Sequence, residues 1–194
     1  VGHLFRALPM LIINLWGAPS SGKSTTAAGL FFLLKINKWR VELVTEFAKE
    51  MVWERNEAVF GDQAFIFAEQ NRRLRRLETH DVEVAITDSP LPLPVFYQPD
   101  GYLKNFEAVV FEQFHRYNNI NYYLRRTGSF EAIGRRHTES EAERIDRTLV
   151  DFMRHHGIDF TEVEASPQTP QTIFDDLLSR RAPIVPMPLG GPAS

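Results

Sequence analysis

The chain has 194 residues, of which 43% are hydrophobic and 24% are charged, as in an ordinary globular domain. Its formal net charge of −3 argues against tight, unspecific binding along nucleic acid, because that affinity comes mainly from Lys and Arg. The absence of cysteine excludes disulfides, thiolate chemistry and cysteine-based zinc sites, and it fits a cytoplasmic location.

Short apolar runs alternate along the chain with longer segments of helical period, a pattern typical of βαβ units that stack into a parallel sheet. We predict strands over five runs rich in Val, Ile, Leu or aromatic residues, at residues 10–16, 40–45, 82–88, 119–124 and 159–163. Helices are predicted between and after them, at residues 23–36, 62–79, 103–117, 140–156 and 169–180. The predicted fold class is therefore α/β, with a five-stranded parallel sheet and helices on both faces.

The two ends of the chain lack such patterns. Residues 1–9 form a predicted N-terminal extension, and residues 182–194, with four prolines and two adjacent glycines, a predicted flexible tail. The first apolar stretch is interrupted by Pro9 and runs into a glycine-rich loop, so we interpret it as a strand rather than a signal peptide. No segment approaches the roughly 18 apolar residues of a membrane-spanning helix. The domain itself is expected over residues 10–181, without a membrane anchor.

The clearest motif is Gly17-Ala-Pro-Ser-Ser-Gly-Lys-Ser24, which satisfies G-x-x-x-x-G-K-[ST] between a predicted strand and a predicted helix. Such a loop turns successive backbone N–H groups inward, and the N-terminus of the next helix adds its dipole, so a triphosphate is the natural occupant. Lys23 is expected at the β and γ phosphates, and the Ser24 hydroxyl at Mg²⁺. We predict a three-layer P-loop NTPase fold that binds ATP and Mg²⁺ through Gly17, Ala18, Pro19, Ser20, Ser21, Gly22, Lys23, Ser24 and Thr25.

Two acidic residues follow the second and third predicted strands. Glu46 ends one run and Asp88 the other, and the carboxyl ends of parallel strands meet beside the phosphate loop. A phosphotransferase must orient and deprotonate an acceptor hydroxyl and must hold Mg²⁺ or its waters. We assign the first role to Glu46 and the second to Asp88, with the reverse assignment open. The alternative is that either acid caps a helix or is solvated in a loop.

A basic stretch with two glycines follows the fourth strand, Arg125-Arg-Thr-Gly-Ser-Phe-Glu-Ala-Ile-Gly-Arg-Arg-His137. We interpret residues 125–139 as a lid whose closure brings guanidinium groups to the γ-phosphate and excludes water. Arg126 and Arg135 are the predicted catalytic arginines, and Arg136 is a third candidate. The alternative is that these arginines are solvated or pair with the acidic residues that begin the next helix.

The segment Thr45-Glu-Phe-Ala-Lys-Glu-Met-Val-Trp53 and residues 61–77, GDQAFIFAEQNRRLRRL, resemble deoxynucleoside kinases. The resemblance implies that Glu46 contacts the acceptor hydroxyl and that Trp53 lies near the substrate. It also implies that Gln70, with Gln63 as second choice, pairs with a pyrimidine base and is followed by basic residues, of which we select Arg73. Where those kinases commonly have Asp-Arg or Glu-Arg-Ser after the third strand, this chain has Asp88-Ser-Pro90, so no arginine is expected there.

Across residues 10–165 the chain is more similar to a group of bacteriophage P-loop proteins, through INLWG, VTE, FAEQ, TDSP and a late GR…EAERID segment. Some of this group resemble thymidylate-kinase-like enzymes that phosphorylate 5-hydroxymethyluracil already incorporated in DNA. The resemblance implies a kinase acting on that base in phage DNA, in the host cytoplasm, during thymidine hypermodification. A kinase of free deoxynucleosides or nucleoside monophosphates is the alternative.

A P-loop switch that hydrolyses its nucleotide is a further alternative of another class. The guanine-binding element N-K-x-D is not matched, because Asn37-Lys-Trp-Arg40 ends in arginine. The sequence also shows no obvious acidic pair after the third strand. Both features favour transfer to an acceptor over hydrolysis.

Overall fold

The computed structural model describes residues 10–126 and 139–180, and for residues 139 and 141–143 it describes the backbone only. Its centre is a five-stranded, all-parallel sheet in the order β2-β3-β1-β4-β5. The strands are β1 (Leu11–Trp16), β2 (Val41–Val44), β3 (Val84–Thr87), β4 (Asn118–Arg125) and β5 (Thr161–Glu164). This sheet confirms the predicted α/β fold and the five predicted strands, apart from one to two residues at most of their ends.

Helices cover both faces of the sheet. They are α1 (Lys23–Ile36), α2 (Phe47–Trp53), α3 (Gln63–Glu78), α4 (Leu93–Tyr97), α5 (Phe106–His115), α6 (Glu139–His155) and α7 (Thr169–Ser179). A short 3₁₀ turn, Glu57–Gly61, precedes α3. None of the helices in the described ranges is long and apolar enough to cross a membrane.

The alternation of side chains along β1 explains the three layers. Ile12 and Trp16 point into a core with α3, α4, α5 and α6, whereas Leu11, Ile13 and Leu15 point into a second core with α1 and α7. All six residues of β1 are buried, as expected for a central strand of a sheet covered on both faces. The sheet therefore holds the loop after β1 at the centre of its carboxyl edge.

Three short elements were not predicted: α2, the 3₁₀ turn and α4. The segment around α4 carries Pro90, Pro92 and Pro94, which favour turns, yet proline is compatible with the first turn of a helix because its missing N–H has no intrahelical partner there. The helix predicted over 103–117 begins three residues later, at Phe106. These short helices matter because α2 and α4 form two walls of the candidate site.

The other domain-level predictions fall on segments that the structure does not describe. The N-terminal extension at 1–9, the flexible tail at 182–194 and most of the predicted lid lie outside the described residues. They stay predictions.

Candidate functional site

The loop between β1 and α1 has a backbone path that requires glycine at its first position. Gly17 has a φ of 144°, and a Cβ atom there would lie 2.8 Å from the carbonyl oxygen of Leu124 and 2.5 Å from Ser21 Oγ. Gly22, with a φ of 84°, is the N-cap of α1 in the left-handed region. The two glycines of the motif are therefore required by the loop conformation itself.

Lys23 holds this loop in a tight curve. Its Nζ donates to the carbonyl oxygens of Gly17 at 2.7 Å and Ala18 at 3.0 Å. The first turn of α1 contains no acidic residue, so the positive end of the helix dipole and the ammonium group act together. The loop is therefore an electropositive cradle for an anion such as a phosphate.

Ser24 and Asp88 meet beside this cradle. Because β1 and β3 are neighbours in the sheet, the residue after β3 lies next to the start of α1, and Ser24 Oγ donates to Asp88 Oδ2 at 2.6 Å. Asp88 is 4% exposed, and its Oδ1 is buried without a hydrogen-bond partner within the described ranges. The carboxylate oxygen that has no hydrogen-bond partner and the neighbouring hydroxyl are both oxygen ligands. Such ligands suit Mg²⁺, a hard cation that prefers oxygen. The residues present therefore fit the predicted metal.

A cavity opens from the phosphate loop toward α2, α3 and α4. Its empty volume, with the open space at its mouth included, is about 940 Å³. Beyond the loop residues it is lined by the polar side chains of Glu46, Lys49, Gln63 and Ser89. Its apolar wall is formed mainly by Val52, Phe60, Ile66, Leu93, Pro94 and Tyr97. Such a mixture of apolar wall and few polar groups is typical of a small-molecule site.

Glu46 faces this cavity from the N-cap position of α2. Its backbone is extended, and its carboxylate makes no capping hydrogen bond to the helix, so the alternative role of helix cap is not observed. Tyr97 lines the same cavity, and burial together with the negative charge of Glu46 raises the pKa of its phenol. The phenol therefore stays protonated at neutral pH and keeps a hydrogen to donate.

Gln70 does not line the cavity. It is 1% exposed, and its Oε1 accepts the N–H of Phe47 at 3.1 Å while its Nε2 donates to Thr87 Oγ1 at 3.2 Å and to the carbonyl of Thr45 at 3.4 Å. Its amide is thus engaged by the protein, which argues against the predicted pairing with a base. The second choice, Gln63, does line the cavity, with its Nε2 donating to the carbonyl of Phe60 at 2.9 Å.

Arg73 and Trp53 also lie away from the cavity lining. Arg73 makes two hydrogen bonds to Glu50, at 2.7 and 2.6 Å, and its guanidinium packs over the ring of Phe47. These hydrogen bonds lower the pKa of Glu50. Trp53 ends α2 and is 62% exposed. The geometry gives Arg73 a structural role that fastens α2 to α3, in place of the predicted substrate contact.

Three other predicted residues lie in the described ranges but do not line the cavity. Thr25 is exposed on α1 and Ala18 is buried behind the loop, and neither lines the cavity. Arg126 follows β4, half-buried and outside the cavity lining. Arg135 and Arg136 lie outside the described residues. The lid roles of these arginines stay predictions.

Sequence reasoning missed Lys49 and Tyr97 as cavity residues. Lys49 lies in the first turn of α2, after the N-cap residue Glu46, but α2 itself was not predicted. Tyr97 was not considered because α4 lies in a proline-rich segment that indicated turns. Prediction of either short helix would have identified its residue as a candidate for the cavity.

A parallel sheet whose central strand leads through G-x-x-x-x-G-K-S into a helix defines an α/β P-loop nucleotide-binding domain. The family model of the AAA domain matches residues 12–169, so the chain belongs to this AAA domain family of P-loop NTPases. The matched range contains the phosphate loop, Glu46 and Asp88. A search of curated proteins finds no match. Membership indicates nucleotide-dependent activity, and P-loop domains generally bind a nucleoside triphosphate together with Mg²⁺.

Proposed function

We propose that this protein is an ATP-dependent kinase that transfers the γ-phosphoryl group to a hydroxyl of an organic acceptor. The observation that carries the proposal is the cavity that joins the phosphate loop to Glu46 and to an apolar wall. A P-loop protein that transfers phosphoryl to water needs no cavity with aromatic and aliphatic walls beside its phosphate loop. An organic molecule with a flat apolar portion and a reactive hydroxyl suits these walls.

The residues around the cavity have separate proposed roles in phosphoryl transfer. The backbone of the loop and Lys23 bind the phosphates of ATP, and Ser24 and Asp88 would hold Mg²⁺, which neutralises charge on the β and γ phosphates when it is bound. Glu46 orients the acceptor hydroxyl and accepts its proton. Arg126 and Arg135 are proposed to stabilise the γ-phosphate from the lid.

The acceptor that we propose is the hydroxymethyl group of 5-hydroxymethyluracil in phage DNA. Support comes from the resemblance of the VTE, FAEQ and TDSP segments to the bacteriophage group, and from a cavity wall in which Phe60 and Tyr97 could cover a flat base. A base inside a duplex cannot reach such a cavity, so it would enter extruded from its stack or from a single strand. Gln63, at the cavity wall, is the residue that we assign to the edge of the base.

A free deoxynucleoside or nucleoside monophosphate is the second candidate acceptor. The observation that favours it is the formal net charge of −3, which provides no general attraction for a polyanion. A free deoxynucleoside would use the same phosphate loop and the same carboxylates, whereas a nucleoside monophosphate would accept the phosphoryl group on an ionised phosphate oxygen that needs no base.

The experiment supplies γ-labelled ATP and Mg²⁺ to the protein with DNA that contains 5-hydroxymethyluracil, unmodified DNA, and a panel of free nucleosides and nucleotides. Lys23→Ala is the matched control, since it removes the loop ammonium and should abolish transfer. Label on modified DNA alone supports the proposed acceptor, and label on a free nucleoside or nucleotide alone replaces it. Labelled phosphate released without any labelled acceptor would identify a hydrolytic NTPase switch and overturn the kinase proposal.

A further inference from the structure

Lys49, in the first turn of α2, is a second lysine beside Lys23 among the residues that line the cavity. Lys49 and Val52 lie three residues apart on α2, Glu46 is the N-cap of that helix, and all three residues line the cavity. Lys49 is half-buried there. The proposed catalytic carboxylate and a lysine from the first turn of the following helix therefore line the same cavity.

This ammonium has no partner in the described part of the protein. Lys49 makes no hydrogen bond or ion pair with any residue that the structure describes, although the carboxylate of Glu46 is only three residues before it. The arginines of the neighbouring helix α3 differ, because Arg73 is paired with Glu50 and Arg72 with Glu69. A charge that is partly withdrawn from water loses solvation, and an anionic ligand in the cavity would offset that loss.

We propose that Lys49 binds a phosphate group of the acceptor, so that the acceptor is a nucleotide and not an uncharged nucleoside. The inference rests on the proposed kinase function and adds to it the chemical class of the substrate. Lysine suits the task because its ammonium is a point charge that contacts phosphate oxygens from several directions. Lys23 serves the phosphates of ATP, and Lys49 serves the phosphate of the acceptor.

Two kinds of acceptor carry such a phosphate group. A free nucleoside monophosphate carries a phosphomonoester, and a nucleotide within DNA carries a phosphodiester next to the same sugar. Either group places an anion a short distance from the base, while the reactive hydroxyl faces Glu46. The experiment therefore compares 5-hydroxymethyl-2′-deoxyuridine, its 5′-monophosphate and a short oligonucleotide that contains 5-hydroxymethyluracil, because all three carry the same acceptor hydroxyl on the base.

The test measures kcat and KM for these three acceptors with the wild-type protein, Lys49→Gln and Lys49→Arg. Loss of a charge-assisted hydrogen bond should raise the KM for the phosphorylated acceptor by about 10- to 100-fold in Lys49→Gln. The KM for the nucleoside should change little, and Lys49→Arg should recover most of the affinity. Lys104→Gln, at an exposed lysine outside the cavity, is the control and should behave as the wild type.

The KM values of the wild-type protein for the 5′-monophosphate and for the oligonucleotide distinguish the two sources of the phosphate, because the acceptor with the lower KM carries the preferred one. An equal rise of KM for nucleoside and nucleotide in Lys49→Gln would overturn the proposal and leave Lys49 a structural role. Preference of the wild-type protein for the nucleoside would overturn it as well.

Direct binding separates this inference from the kinase proposal. Calorimetric titration of the nucleoside and of its 5′-monophosphate into the wild-type protein and Lys49→Gln requires no turnover. Tighter binding of the monophosphate, lost in Lys49→Gln, would support the inference even if no acceptor became labelled. Equal binding of the two ligands by the wild-type protein would overturn it whether or not the protein is a kinase.

Discussion

Gln70 Nε2 donates to Thr87 Oγ1 at 3.2 Å, and this hydrogen bond ties α3 to the residue that precedes Asp88. The same amide accepts the N–H of Phe47 and donates to the carbonyl of Thr45, the two residues that flank Glu46. One buried side chain therefore contacts the residues next to both candidate catalytic carboxylates. We therefore expect Gln70 to help set the relative position of the two acids, although it does not line the cavity.

Replacement of Gln70 by Met should disturb both acids at once. The substitution preserves most of the side-chain volume but leaves the buried Phe47 N–H without its acceptor, at a cost of roughly 1–3 kcal/mol. Thr87 Oγ1 loses the bond from Gln70 and keeps its hydrogen bonds with Ser89. We expect a lower free energy of unfolding and a reduced kcat, measured by urea denaturation and by phosphoryl transfer. Gln171→Met, at an exposed glutamine on α7, is the control. Unchanged kcat in Gln70→Met would contradict the positioning role.

The two glycines of the phosphate loop should respond differently to alanine. In Gly17→Ala the new Cβ would collide with the backbone carbonyl of Leu124, which cannot move without moving β4. In Gly22→Ala the nearest atom would be Ala165 Cβ at 3.7 Å, so the main cost is the left-handed backbone, about 1–2 kcal/mol. Titration with ATP and Mg²⁺ should show a larger loss of affinity in Gly17→Ala, and equal losses would contradict this geometry.

Asp88→Asn should weaken binding of the nucleotide only when Mg²⁺ is present. The substitution removes the buried negative charge beside Ser24 but leaves the phosphate loop intact. We expect the affinity for ATP in Mg²⁺ to fall, and the affinity in a chelator to stay the same, as measured by calorimetry. Asp100→Asn, at an exposed aspartate, should leave both affinities unchanged. A similar loss with and without Mg²⁺ would remove Asp88 from the metal site.

The stability of the protein should decrease as the pH falls through the range of histidine titration. The ring of His156 stacks on the ring of Phe111, with centroids 4.4 Å apart, and also contacts Phe152. Burial lowers the pKa of His156, although the charge of Glu107, whose Oε1 lies 3.7 Å from His156 Nδ1, acts in the opposite direction. The unfolded chain then binds a proton more readily than the folded chain, so the free energy of unfolding falls below a pH of about 6.5.

His156→Gln should reduce this pH dependence, and His80→Gln, at an exposed histidine, should not. Urea denaturation between about pH 7.5 and pH 5.5 measures the difference and stays above the titration of Glu50, whose lowered pKa acts in more acidic solution. An identical slope in the wild-type protein and His156→Gln would contradict the assignment.

The sheet and the phosphate loop could be predicted because both have local signals. Apolar runs of β1 and β3 identify buried strands, and the glycine spacing from Gly17 to Ser24 follows from the backbone path that the loop must take. The adjacency of β1 and β3 then brings Ser24 to Asp88, as the strand-end argument anticipated.

The roles of Gln70 and Arg73 could not be read from the sequence in the same way. Their partners Phe47 and Glu50 are 23 residues away in the chain, and only the packing of α2 on α3 brings them together. A glutamine or arginine on a helix looks equally suited to a ligand or to a neighbouring helix until that packing is known. Short helices such as α2 carry too few residues for a clear periodic signal.

The most direct test of the kinase proposal compares transfer of label from γ-labelled ATP by the wild-type protein and by Glu46→Gln, at saturating ATP and Mg²⁺. The predicted result is a labelled acceptor with the wild-type protein and a kcat lower by about 10²- to 10⁴-fold in Glu46→Gln, with unchanged ATP affinity. Equal transfer by both proteins would remove Glu46 from the reaction. Release of labelled phosphate alone, from both proteins and with every acceptor, would contradict the kinase account.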